Sequence, residues 1–250
     1  MSRLKFYFEH SLVGYFIRRV REKWFTPPPP PPPAQLDYFG VTLQLDCLPP
    51  GMQKVLLARD YEAPEIEILP ALVSSSDRVL EIGGAIGFLG LFCRKIIKVE
   101  KFFSVEPNPR TLAFLRRNYE LNKIEPAVIE AALAAADGPI SFHTSDMFWT
   151  DSIVSIADPA TSRQITVRGL SFKSIMEMAG VDFNVMIIDV EGGEQFLPIA
   201  SIPDGIKKIL IEIHPEMIGA RAAYTVLETL IKSGFQIQNR NHNTWSLTRS

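Results

Sequence analysis

The sequence predicts an α/β fold: a Rossmann-like, doubly wound, mostly parallel sheet with an antiparallel C-terminal strand pair. Three observations predict it. Short apolar runs alternate with helical patterns from Arg78 onward, and strands alternating with helices build a parallel sheet covered on both faces. Val185 to Val190 and Lys208 to Ile213 are almost entirely apolar, as strands buried on both faces are. Gly83, Gly84 and Gly87 sit between a strand-like run and a helical one, where the chain must turn sharply.

The elements follow in order. Residues 1–26 read as a basic amphipathic helix, with Leu4, Phe8, Leu12, Phe16, Val20 and Trp24 spaced by four and basic residues outnumbering Glu9 and Glu22. Such a helix packs on its own domain or on a second subunit; alternatively, residues 1–25 lie on an anionic membrane surface. Its longest apolar stretch, Leu12 to Ile17, is too short for a signal sequence or a membrane span. Residues 27–36 form a polyproline linker, because Pro27 to Pro33 are consecutive and proline fixes φ. The body is expected over residues 37–250. In it, Phe39 to Leu45 reads as a strand and Tyr61 to Leu72 as a helix. Arg78 to Ile82, Phe102 to Val105 and Ala127 to Ala131 read as strands, separated by helices Phe88 to Lys98 and Pro109 to Asn122. Helix Ala222 to Ser233 precedes the closing pair Phe235 to Gln238 and Thr244 to Thr248. Between the core strands, Ile140 to His143, Ser152 to Ile156 and Gln164 to Val167 are candidate extra strands. Asp146, Phe148, Trp149 and Asp151 lie among them, a suitable place for substrate contacts.

Composition narrows the function classes. Hydrophobic residues make up 46%, enough for a full core, and the net charge of −2 gives no bulk attraction to nucleic acid. Cys47 and Cys93 stand far apart, and His10, His143, His214 and His242 show no ligand spacing, so no metal is assigned and a reducing, cytoplasmic setting fits. Peripheral contact at the inner membrane surface stays open through the N-terminal helix.

The chemistry concentrates in two segments. In Val79-Leu80-Glu81-Ile82-Gly83-Gly84-Ala85-Ile86-Gly87 an apolar strand runs into an acid, then a glycine turn, then a helix whose N-terminal N–H groups are free. Position 88 is Phe, so the dinucleotide pattern G-x-G-x-x-G is not matched. Glu106 ends the next strand, 19 residues beyond Gly87, where an acid accepts hydrogen bonds from ribose hydroxyls. The second segment, Asp189-Val190-Glu191-Gly192-Gly193-Glu194, follows another buried strand and reaches the same crevice beyond the strand ends. Close carboxylates raise one another's pKa and supply a base, or bind a divalent cation; N-capping of a following helix is the structural alternative. Glu212 and His214 end the next strand on the same edge, where either could take a proton or serve the core.

The acid and glycine turn look like the first motif of the class I methyltransferases. Together with Val105-Glu106-Pro107-Asn108-Pro109, Asn118, Asn122, Ala131-Ala132, Ile188 to Glu194, Ile211 to Pro215 and Tyr61-Glu62, the chain resembles the FkbM-type methyltransferase family over roughly residues 55–240. The resemblance implies S-adenosyl-L-methionine as cofactor and O-methylation of a hydroxyl on a sugar, glycan or other small molecule. No nucleic acid is expected as partner, because the body lacks a basic face and no N-P-P-Y-type segment follows Ile188. It implies cofactor binding by Glu81, Gly83, Gly84, Ala85, Gly87, Glu106, Pro107, Asn108 and Ala132, and catalysis by Asp189, Glu191 or His214. Where the family often has Lys this chain has Ile187, and where it often has Asp this chain has Ser171. A non-catalytic S-adenosylmethionine-binding protein is the alternative. An NAD-dependent oxidoreductase is a further one, although Tyr119 to Lys123 matches its Y-x-x-x-K pattern in the wrong helix.

Overall fold

The structure, a computed structural model, describes residues 31–144 and 163–250. The expected N-terminal helix, the start of the proline run, Asp146, Phe148, Trp149, Asp151 and the strand Ser152 to Ile156 lie outside the described residues.

The body opens with a hairpin of β1 (Gln35–Tyr38) and β2 (Val41–Gln44). One strand was expected over Phe39 to Leu45. Instead Phe39 and Gly40 take φ of 50° and 82°, the two left-handed residues of a tight hairpin turn. Helices α1 (Pro50–Ala58), which the sequence pattern did not reveal, and α2 (Ala63–Leu72) follow. The central unit then runs β3 (Arg78–Ile82), α3 (Phe88–Phe92, continued by a wider turn over Cys93–Ile97), β4 (Lys101–Val105), α4 (Pro109–Leu121) and β5 (Val128–Ile129). A second small sheet is made by β6 (Ala132–Leu133), β7 (Gly138–Thr144) and β8 (Arg163–Leu170). The chain returns to the main sheet through α5 (Phe172–Ala179), β9 (Val185–Ile188), β10 (Lys208–Glu212), α6 (Pro215–Ile218), α7 (Ala220–Lys232), β11 (Gln236–Asn241) and β12 (Thr244–Thr248).

The main sheet has the order β11-β12-β10-β9-β3-β4-β5. Pairings from β10 to β5 are parallel, and β10–β12 and β11–β12 are antiparallel. The predicted doubly wound sheet with its antiparallel closing pair is therefore present. Successive strand residues point to opposite faces. Val79, Val185, Ile187 and Leu210 meet α2, α3 and the hairpin on one side. Leu80, Ile82, Met186, Ile188, Ile209 and Ile211 meet α5 and α7 on the other. Among the described residues no helix is long and apolar enough to cross a membrane.

Two polar devices join the parts. Asn118 and Asn122, one turn apart on α4, act as a substitute partner strand for β2. Asn118 Oδ1 accepts from the Gln44 N–H (2.8 Å), while Asn122 accepts from the Thr42 N–H (3.0 Å) and donates to its carbonyl (2.7 Å). Asp77 ties the N-terminal edge of the sheet. Its carboxylate accepts from Ser74 N (2.7 Å), Asn184 Nδ2 (2.7 Å) and Lys208 Nζ (2.8 Å). Burial alone would raise this carboxyl, but Lys208, Ser74 and Asn184 together hold it below the usual aspartate range. A lowered folded-state pKa stabilises above the unfolded value of about 3.9 and is lost as pH falls through the folded one. Asp77→Asn is therefore expected to cost about 1–3 kcal/mol at pH 7. Urea melts of both proteins should converge as pH drops below about 4.

Candidate functional site

A cavity opens beyond the carboxyl ends of β3, β4 and β9. The chain leaves β3 toward β4 on one side and reaches β9 on the other, so this is the switch point of strand order, where open α/β sheets bind ligands. Its floor is the turn after β3, with Gly83 and Ala85, and the segment after β4, with Glu106 and Pro107. One wall is the segment after β9, Asp189 to Glu191, and the opposite wall is apolar: Ala132, Leu133 and Phe142 from the second sheet, with Leu197. Tyr61 and Thr111 complete the lining.

The turn is held by its neighbours. Gly83 continues the sheet pairing by donating to Val105 O (2.9 Å), and Asp189 N donates to Ile82 O (3.0 Å). Gly83 has φ of +95°, and a Cβ built on it falls 1.6 Å from the Asp189 carbonyl oxygen. Gly84 and Gly87 serve packing rather than lining: a Cβ on either would press on Leu115 of α4. The Glu106 carboxylate accepts from the Ala85 N–H (2.9 Å), the Asn108 N–H (2.8 Å) and Thr111 Oγ1 (2.9 Å). It thereby links the glycine turn to the start of α4, which Asn108 caps by accepting from Arg110 N (2.9 Å). Ala85 itself sits at φ +41°, a strained value for a residue with a Cβ.

The second acidic segment does not cap an α-helix. Glu191 and Gly192 take φ of +47° and +86°, and only a short turn, Glu194–Phe196, follows without a side-chain cap. Glu194 folds back instead. Its Oε1 accepts from the Gly192 N–H (3.0 Å) and faces His214 Nδ1 at 2.8 Å. The other ring nitrogen, His214 Nε2, lies 3.4 Å from Glu191 Oε2, 3.8 Å from Glu212 Oε2 and 3.9 Å from Asp189 Oδ1.

Burial and mutual repulsion set the proton affinities here. Burial, then the neighbouring acids, pushes Glu191 well above the carboxylate range, and burial likewise raises Asp189. Burial, then Asp189 and Glu65, takes Glu212 to about 8. For His214 burial favours the neutral ring, yet Glu194, Asp189 and Glu191 together overcome it and raise the imidazole to about 10. Glu81, almost wholly buried, rises to about 8 from burial, opposed by the 2.5 Å hydrogen bond from Ser104 Oγ.

Of the residues read from sequence, Gly83, Ala85, Glu106, Pro107, Ala132, Asp189 and Glu191 line one cavity. Glu81, Gly84, Gly87 and Asn108 do not. Glu81 lies beneath the turn, on the face of β3 that packs against Ser104. His214 stands behind Asp189 and Glu191 rather than in the cavity. The lining residues Thr111, Leu133, Phe142 and Leu197 were not anticipated, because apolar side chains and a helix threonine carry no chemical signature. The two departures from the FkbM pattern have structural explanations. Ser171 caps α5, accepting from Ser174 N, and Asp137 accepts hydrogen bonds from both serines, so the aspartate's capping work is done without it. Ile187 is buried in the sheet core beside Glu81, where its apolar burial contributes about 1.5–3 kcal/mol.

The main sheet has the Rossmann-like, doubly wound order. The family model that matches is the TRM5/TYW2 methyltransferase domain, over residues 40–139, less than half the chain. That span holds the glycine turn and Glu106 but stops before Asp189. No curated protein matches the sequence. Similar solved structures include the methyltransferase FkbM of Methylobacillus flagellatus KT (15% identity, 79% of this chain and 53% of that chain, TM-score 0.44). Others are Aeropyrum pernix fibrillarin with natively bound S-adenosyl-L-methionine (13%, 75% and 73%, 0.46) and M. jannaschii TYW2 in complex with AdoMet (14%, 85% and 82%, 0.38). The chain thus spans about half the length of the FkbM structure. The FkbM membership expected from the sequence is not shown by these comparisons, since the family model that matches is a different one.

Proposed function

We propose that this protein is an S-adenosylmethionine-dependent methyltransferase whose acceptor is a hydroxyl group on a small molecule or glycan. The observation that carries the reading is one cavity that brings together the glycine turn, Glu106 and the pair Asp189 and Glu191. The residues fit the cofactor. Gly83 presents bare backbone to the space, and Glu106 ends the strand where a ribose is held. When bound, S-adenosylmethionine supplies a methyl group already activated for transfer. What is left to the chain is to orient the acceptor, exclude water and take a proton. Leu133, Phe142 and Leu197 form the dry wall against which an acceptor lies. Glu191 is the proton acceptor: it lines the cavity, its side chain is one quarter exposed, and burial gives it high proton affinity. Asp189 and His214 hold it in place.

A nucleic-acid acceptor is the second reading, favoured by the match to the TRM5/TYW2 methyltransferase domain. It stands against the expectation of no nucleic-acid partner, which rested on net charge, the lack of a basic face and the missing N-P-P-Y-type segment. Against it stands the acidity of the cavity wall, which repels phosphates. The test is calorimetric titration with S-adenosylmethionine, followed by transfer of a labelled methyl group to pools of hydroxylated small molecules, glycans and RNA. Glu106→Ala is expected to weaken cofactor binding about 5- to 150-fold, the value of a lost charged hydrogen-bond acceptor. Failure of the folded wild type to bind would overturn the cofactor, and label found only in RNA would overturn the hydroxyl acceptor.

A further inference from the structure

Four histidines scattered along the sequence showed no ligand spacing, yet the fold brings one of them against two strand-end carboxylates. Strands β9 and β10 run parallel with Ile188 opposite Ile211, so Asp189 and Glu212 emerge side by side one residue later. Beyond Ile213, which donates to Asn243 O, the chain turns and buries His214 over both. One donor atom from each of Asp189, Glu212 and His214 lies within 4.8 Å of the others.

We propose that Asp189, Glu212 and His214 hold a divalent transition-metal cation beside the cavity. A cation about 2.1 Å from each donor sets the donors about 3.0–3.5 Å apart at right or tetrahedral angles. The 3.8 and 3.9 Å from His214 Nε2 to Glu212 and Asp189 are longer than that, and the three donor atoms lie within 4.8 Å of one another, so the side chains must draw in around the ion. The imidazole is oriented as in metal sites: Nδ1 is engaged by a buried carboxylate, Glu194, leaving Nε2 to face the other donors.

Independent of that geometry, two carboxylate oxygens of the group are buried without a partner, Asp189 Oδ1 and Glu194 Oε2. The first is one of the oxygens turned toward His214 Nε2. Unpartnered buried oxygens are costly, and a bound cation would supply the partner that Asp189 Oδ1 lacks. Among the described residues, His214 is the only basic side chain within 4.0 Å of Asp189, Glu191, Glu194 or Glu212. A dication would give these oxygens a stronger positive partner than one imidazole does. Two carboxylates with one imidazole suit Mn²⁺, Fe²⁺ or Zn²⁺ better than Mg²⁺ or Ca²⁺, which take oxygen-only sets. Bound there, the cation sits next to Glu191 and can polarise an acceptor oxygen entering the cavity.

The full chain, stripped with a chelator, is titrated with Mn²⁺ while free Mn²⁺ is read by electron paramagnetic resonance. The expected result is saturable one-to-one binding, weakened at least about tenfold in both Asp189→Asn and Glu212→Gln, with Zn²⁺ competing and Mg²⁺ competing only at about 100-fold higher concentration. Absence of saturable binding by folded wild type would overturn the proposal and leave His214 as a simple imidazolium counter-ion. So would binding unchanged in both variants, or Mg²⁺ competing on equal terms, which would remove the imidazole from the ligand set. If circular dichroism shows Asp189→Asn unfolded, Glu212→Gln, the more exposed side chain, decides. Titration of the same metal-free wild type with S-adenosylhomocysteine is a separate arm, and its failure would count against the cofactor while the metal result stands.

Discussion

Gly83→Ala is expected to remove about 2–6 kcal/mol of stability and to abolish cofactor binding in whatever folds. Two costs combine. At φ +95° an alanine is strained by about 1–3 kcal/mol. Its Cβ would also stand 1.6 Å from the Asp189 carbonyl oxygen, and that oxygen belongs to backbone locked into the sheet by Asp189 N bonding to Ile82 O. No side chain can swing aside, so the end of β9 must move, with overpacking costs of about 1–3 kcal/mol. For a chain of this size the melting temperature should fall by roughly 5–20 °C. Gly180→Ala is the control. It also has positive φ, +61°, but a Cβ there meets nothing within 4 Å, so only the conformational cost applies. Equal losses in the two variants would refute the close contact between the glycine turn and Asp189. Loss of cofactor binding matters as much as loss of stability, since Gly83 and Asp189 adjoin in the lining of the same cavity.

Glu191→Gln should lower the rate of methyl transfer about 10²- to 10⁴-fold, the usual contribution of a positioned base, while cofactor affinity changes only a few-fold. Glutamine keeps the size and the left-handed backbone position at φ +47° but cannot take a proton. The split between rate and affinity separates this role from a structural one, because a collapsed wall would weaken both. Single-turnover transfer of a labelled methyl group to the acceptor identified by screening is the measurement. A rate within threefold of wild type would move the base to Asp189, the other carboxylate in the wall.

How much of this was legible in the sequence depends on whether the signal is local. β9 was readable because a strand buried on both faces must be apolar throughout, and Val185, Met186, Ile187 and Ile188 write that requirement into consecutive positions; β3, β4 and β10 carry it in shorter apolar runs. The glycine turn and Glu106 were readable because their chemistry and their spacing along the chain fall within one strand–turn–helix–strand unit. The hairpin was misjudged, since Phe39 carries no hint of the left-handed φ that splits the run in two. Helix α1 was missed because Pro50 and Gly51 open it, where they argue against a helix unless placed in its first turn.

By itself, then, the sequence determined the doubly wound sheet, its antiparallel close, and the two acidic segments at the strand ends. These follow from periodicity and from short-range chemistry. Only the tertiary structure decided that Glu81 is buried against Ser104 of the neighbouring strand instead of lining the cavity, and that Ser171 and Ile187 serve a cap and a core. It alone decided that Glu194 turns back to His214, and that Asp189, Glu212 and His214 converge. Each of those outcomes rests on which residues from distant segments meet when neighbouring strands pair in one register. Spacing along the chain carries no record of a distance across a sheet.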